Sequence, residues 1–235
     1  MRIRTNPADG PLVILLILLT VVTGLVDAFS YLELGRVFVA NMTGNVVFLS
    51  FDLGGAAGFL WWASLLAIAA FLLGALVGGR ITTAHGHHRG RHVMVAISVQ
   101  TLLVAAAFVV SCAIGSPYGV PGKVALILLL GIAMGLQNAT ARALSVPDLT
   151  TTVLTLTIAG IGADNTAAGG KGARLGRRSA SIASMFVGGL LGAAIVIHGQ
   201  PALAMLLATV LLAVVAITGF RVARSDEAWV APRSK

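Results

Sequence analysis

Charge is scarce in this chain: only 10% of its 235 residues are Asp, Glu, Lys or Arg, against 57% hydrophobic residues. No soluble domain of this size can hide so much apolar surface, so the bilayer must be its solvent. The single cysteine, Cys112, excludes an intramolecular disulfide. Acids are so sparse that Asp27 is the one placed well inside an apolar stretch, which leaves no pair of intramembrane carboxylates for acid–base chemistry. Neither a Ser-His-Asp set nor an H-E-x-x-H helix is visible. The stretch Gly169-Gly170-Lys171-Gly172 lacks the earlier glycine and the Ser or Thr that a phosphate loop needs, so no ATP site is expected. His85, His87, His88 and His92 have neither cysteine nor nearby acid beside them and read as a solvated loop rather than a metal tract. The sequence thus calls for no metal and no cofactor.

What is present is apolar length. Six stretches can cross a hydrocarbon core of about 30 Å as helices: Leu12 to Phe29, Phe59 to Gly79, Val93 to Ile114, Val124 to Leu144, Ala180 to His198 and Leu203 to Phe220. Thr43 to Gly54 and Thr150 to Gly162 are too short to span comfortably and read as re-entrant or broken helices. The first span is longer than a signal-peptide core and no small-x-small cleavage site follows it, so it is expected to be retained.

Basic residues set the topology. If both short segments enter and leave on one face, 14 of the 16 Lys and Arg share a side and only Arg36 and Lys123 lie opposite; eight full crossings would divide them 11 to 5. The positive-inside rule therefore favours six spans with both termini cytoplasmic. The net charge of +8 needs no nucleic acid, since basic loops facing an anionic leaflet account for it.

A polar phrase occurs twice. Gly24-Leu25-Val26-Asp27-Ala28 followed by Asn41-Met42-Thr43-Gly44-Asn45 is echoed by Gly135-Leu136-Gln137-Asn138-Ala139 followed by Asp148-Leu149-Thr150-Thr151-Thr152. Gly74-Ala75-Leu76-Val77-Gly78 is likewise echoed by Gly188-Gly189-Leu190-Leu191-Gly192, with small residues four apart, as close helix packing in lipid requires. Each half reads span, short segment, span, span. Three crossings per half invert the second relative to the first. The expectation is an all-α polytopic membrane protein in one membrane domain over residues 1–235, an inverted 3+3 repeat with halves at about 11–115 and 121–222 and a cytoplasmic tail at 223–235.

A broken helix exposes N–H groups carrying a positive partial charge, with Asn41 or Thr43 able to cap the first short helix and Asp148 the second. Amides and hydroxyls around them suit a small polar or anionic solute. The expected substrate-binding set is Asn41, Thr43, Gly44, Asn45, Gln137, Asn138, Asp148, Thr150, Thr151 and Thr152, meeting near the midplane. Asp27 is the candidate for a coupling proton, because a carboxylate inside a span is costly without a purpose. Its structural alternatives are an ion pair with Arg142 or the capping of a helix end. Packing is the corresponding alternative for each amide and hydroxyl.

On these two phrases, including the full run Val37-Phe38-Val39-Ala40-Asn41-Met42-Thr43-Gly44-Asn45, the chain resembles the YoaK-like family of bacterial inner-membrane proteins, a domain of unknown function (DUF1275). The resemblance covers nearly the whole chain and implies an inner-membrane location, but no substrate. The repeat points to a secondary transporter or facilitator, partnered by a small-molecule solute, a coupling ion or proton, and the lipid bilayer. The alternative is a membrane enzyme or lipid- or isoprenoid-binding scaffold; few acids and bases beside many amides and hydroxyls weigh against catalysis. Oligomeric state is left open.

Overall fold

The computed structural model describes residues 11–85, 87–147, 149, 151, 154–170 and 175–223, and among them every regular element is helical. In chain order the helices are α1 (Leu12–Glu33), α2 (Met42–Leu53), α3 (Trp61–His85), α4 (Arg89–Ile114), α5 (Val120–Leu144), α6 (Leu154–Ala163), α7 (Leu175–Ile197) and α8 (Pro201–Ala223). A 3-10 turn at Thr166–Ala168 lies between α6 and α7. Proline marks several starts: Pro11 precedes α1, Pro121 lies in the first turn of α5 and Pro201 opens α8, all places where its missing N–H costs nothing. The α5 helix stops at Ser145, which takes a left-handed φ of 50°, and Pro147 beyond it cannot resume the helix. The second and third spans extend further than their apolar runs, reaching His85 and beginning at Arg89, so the basic loop shrinks to three residues.

Six helices carry apolar stretches of at least 20 residues, about 30 Å at 1.5 Å per residue, enough to cross. The 12 residues of α2 and 10 of α6 reach only about 15–18 Å. The α2 excursion returns to where it began. Gly35 lies against Leu60, the Arg36 guanidinium sits 5.4 Å from the Phe59 ring centre, and the Trp61 N–H donates to Asp52 at 3.2 Å. The end of α1 also meets the α4–α5 connection, where the Ser116 hydroxyl donates to Glu33 at 2.8 Å. A crossing α2 would put those two groups at opposite ends of the bundle. The described helices therefore cross six times, as expected of a multi-pass membrane protein.

In lipid, helix packing depends on close backbone approach rather than on hydrophobic contrast, and the closest pairs are α1 with α7 and α3 with α5. Both are built on glycine. A Cβ on Gly24 would come within 2.6 Å of the Gly189 nitrogen, and one on Gly188 would strike the Val21 carbonyl. At the other crossing, Cβ atoms on Gly135 and Gly74 would strike the carbonyls of Phe71 and Ile132. The buried stripe of α3 (Ala63, Ser64, Ala67, Ala70, Gly74, Gly78) recurs 114 residues later in α7 as Arg177, Arg178, Ser181, Ser184, Gly188 and Gly192. Of the 13 buried positions of α5, 11 lie 111 residues after a buried position of α1. Exchanging α1–α4 for α5–α8 also maps the pairs α1–α7, α1–α8, α2–α3 and α3–α4 onto α5–α3, α5–α4, α6–α7 and α7–α8, all of which pack together.

The remaining surfaces are lipid-like. On α8, Leu203, Leu206, Val210, Val214 and Ile217 form an exposed apolar stripe, while Ala204, Met205, Ala208, Leu212 and Val215 are buried. The short helices bury little: only Asn45 of α2 and Thr157 of α6.

Candidate functional site

Between α1 and α2 the backbone leaves helical geometry where Val37, Val39 and Ala40 are buried, so its N–H groups need partners from within the protein. Side chains of the first polar phrase provide them. The Asn45 Oδ1 accepts from the Phe38 N–H at 2.9 Å, while its Nδ2 donates back to the Phe38 carbonyl at 2.6 Å. The next two N–H groups, of Val39 and Ala40, both donate to Oδ1 of Asp27 at 3.1 and 2.9 Å. Three consecutive orphan donors are thus satisfied by two side chains. Hydrogen bonds to a carboxylate are the stronger kind, so Asp27 fixes the break against α1.

Asp27 is 6% exposed and pairs with no cation among the described residues; the ion pair with Arg142 is not formed. Its second oxygen, bonded to no group among the described residues, remains accessible at the wall of a cavity of about 350 Å³. Asp27, Tyr31, Phe38 and Asn41 face Met185 and Ala193 of α7 across this space. The Tyr31 and Phe38 rings stack 5.0 Å apart. Asn41 lies at the N-terminal boundary of α2 but its side chain makes no capping bond, so that expectation is corrected: the amide is left for the cavity. Thr43 is exposed outside the cavity lining, and Gly44 lies against the Phe38 ring.

Second-half residues are placed differently. Gln137 lies at the bundle centre, where its Nε2 donates to Thr23 at 2.8 Å and its Oε1 accepts from Gln100 at 2.6 Å, joining α1, α4 and α5. Asn138, the register partner of Asp27, donates to Met134 of its own helix at 3.0 Å. Thr151 is 1% exposed with a left-handed φ of 62°, and its hydroxyl has no hydrogen-bond partner among the described residues. Asp148, Thr150 and Thr152 lie outside the described residues. The structure gathers Asp27 and Asn41 at one cavity with Asn45 behind them; Gln137 and Thr151 do not line it. The short helices pack on different partners, α2 on α3 and α6 on α7. The aromatic wall and Gln100 were missed by sequence reasoning, although a lone amide inside an apolar span is a visible signal for the latter.

Arg178 ties the end of α6 to α7 by donating to the Gly160 carbonyl and to Asp164, the latter at 2.6 Å. Asp52 plays the corresponding part in the first half by accepting from Trp61, the first residue of α3. For the central network the expected result is modest: Gln137→Leu lowers stability by about 1 kcal/mol, in line with interhelical hydrogen bonds in membranes. Adding Gln100→Leu costs little more, because both amides are then gone. Thermal unfolding in one detergent measures both.

A family model described as "Protein of unknown function (DUF1275)" matches residues 15–218. The UPF0700 transmembrane protein YoaK of Bacillus subtilis (strain 168) is 34% identical over 148 residues, which is 63% of this chain and 64% of that relative's length. No solved structure matches.

Proposed function

We propose, from the premise that the chain belongs to the DUF1275 family, that it is a secondary transporter or facilitator of a small polar solute, with the cavity beside Asp27 as its binding site. The observation that carries this reading is a buried carboxylate in a spanning helix that uses one oxygen to hold a helix break and keeps the other free at a cavity. Structural need accounts for the first oxygen only. A second oxygen left accessible inside a membrane protein is a place for a solute or a coupling proton.

The matching registers of buried residues, 111 residues apart for α1 and α5 and 114 for α3 and α7, support reading the halves as an inverted repeat. In such transporters one half or bundle moves against the other around the site. The glycine crossings make α1–α7 and α3–α5 the natural rigid pairs, each joining one helix from either half. Asp27 then serves as carrier of the coupling proton. Its register partner Asn138 cannot do so, so the charge-bearing step belongs to the first half alone.

The basic loops support an inner-membrane orientation with both termini in the cytoplasm. Reporters fused after Arg91 and after Arg178 are expected to be cytoplasmic and one at Tyr118 external; an external Arg91 reporter would overturn the topology. The transport reading is tested by a stability screen of the purified chain against metabolites and ions, followed by uptake of each stabilising compound into proteoliposomes. Uptake above that of protein-free vesicles supports it, and binding without uptake of any such compound refutes it.

A further inference from the structure

Among the described residues the cavity lining contains one acid and no Lys, Arg or His. A carboxylate oxygen can only accept hydrogen bonds when ionised, so the site is built to receive a donor, and an anion placed there would meet like charge without compensation. The rest of the wall is apolar or aromatic. Tyr31 and Phe38 present stacked rings on one side, while Met185, Gly189 and Ala193 of α7 form the other. Asn41 adds one neutral amide at the rim. Aromatic faces attract cations, and thioether and aliphatic surfaces cover hydrocarbon. The volume of about 350 Å³ sits at the lower end of small-molecule sites.

We propose that this cavity binds an organic ammonium ion, its nitrogen on the free Asp27 oxygen and its hydrocarbon part between the Tyr31–Phe38 stack and Met185, with a proton competing for the same oxygen. The inference rests on the transport reading for its biological sense and adds the substrate class. Because proton and ammonium occupy one oxygen in turn, the exchange is one for one and no charge is left unpaired in the membrane. Of the other described residues that line the cavity, Tyr31 alone is titratable. Asp27 carries the pH dependence.

The test uses the full chain in phosphatidylglycerol nanodiscs with three probes of nearly equal shape: phenethylammonium, neutral phenylethanol and anionic phenylacetate. Phenethylammonium alone is expected to raise the melting temperature, with affinity falling as the buffer is moved from mildly alkaline to mildly acidic. Asp27→Asn is expected to lower that affinity at least about tenfold, the usual loss for a hydrogen bond to a charged partner. Ala193→Phe, which fills the cavity from α7 and leaves the clamp on Val39 and Ala40 alone, should abolish binding, and it serves if Asp27→Asn folds poorly. Equal binding of the neutral or anionic probe, or unchanged ammonium binding by either variant, would overturn the proposal. Stabilisation by phosphatidylethanolamine that is lost with Asp27, without any effect of the soluble amine, supports an ammonium site and overturns solute transport. Ammonium binding without uptake separates the two readings in the same way. Uptake of another solute without ammonium binding overturns this inference and keeps transport.

Discussion

Gly135→Val and Gly188→Val are each expected to leave little folded protein, whereas Gly79→Ala and Gly189→Ala should be recovered at the parental yield. The contrast follows from what an added side chain meets. At Gly135 and Gly188 it strikes the backbone carbonyls of Phe71 and Val21, which can yield only if whole helices separate. Overpacking of that kind costs about 3 kcal/mol or more. A methyl at Gly79 meets nothing within 4 Å, and at Gly189 its nearest neighbour is the Gly24 carbonyl at 4.0 Å. Alanine there should even strengthen the helix, by up to about 1 kcal/mol. Size-exclusion profiles and melting curves in detergent measure the difference, and a monodisperse Gly188→Val protein melting with the parent would show that the crossings are looser than described.

The second large effect is expected at Asp27, where the clamp and the cavity make separable demands. Asp27→Leu removes the acceptor for two buried N–H groups, those of Val39 and Ala40. Each costs about 1–3 kcal/mol when left unpaired, so the variant should unfold at much lower temperature. Asp27→Asn keeps a carbonyl oxygen facing both donors and should remain folded. It cannot exchange a proton, so uptake into proteoliposomes should lose its pH dependence. A stable Asp27→Leu protein would mean that the break needs no clamp. Unchanged pH dependence in a folded Asp27→Asn protein would remove the carboxylate from the coupling step.

The spans were legible because length and hydropathy decide what can cross a bilayer. Helix ends were less so: Thr82 and Thr83 return their hydroxyls to carbonyls of their own helix, which lets α3 run on through polar sequence. Pairing was hidden for a different reason. In lipid every helix is apolar all round, so the partner of α1 is fixed by the shape of Gly24 against Gly188, and glycine spacing identifies a crossing face without naming what crosses it. At the candidate site, the sequence marked the phrase that carries Asp27 and Asn41 but could not divide its labour. Asn45 and Asn41 are both amides four residues apart, yet one is spent on the Phe38 backbone and the Met42 sulfur and the other faces open space. Tyr31 and Phe38 carried no signal, since aromatic residues near a span end ordinarily read as interface anchors.

The clamp on the break also bears on how the protein can be made. Chains emerge from the ribosome in order, at about 5–20 residues per second, so α1 is released long before α7, whose Gly188 lies 164 residues beyond Gly24. For that interval the glycine face of α1 has no helix to rest on. Its buried acid need not wait, because the donors to Asp27 lie only 12 and 13 residues further along and arrive within seconds. The carboxylate can thus be held by its own neighbourhood while the rest of the bundle is still being synthesised. The slow and exposed stage of biogenesis is then the search of α1 for α7, which requires shape alone.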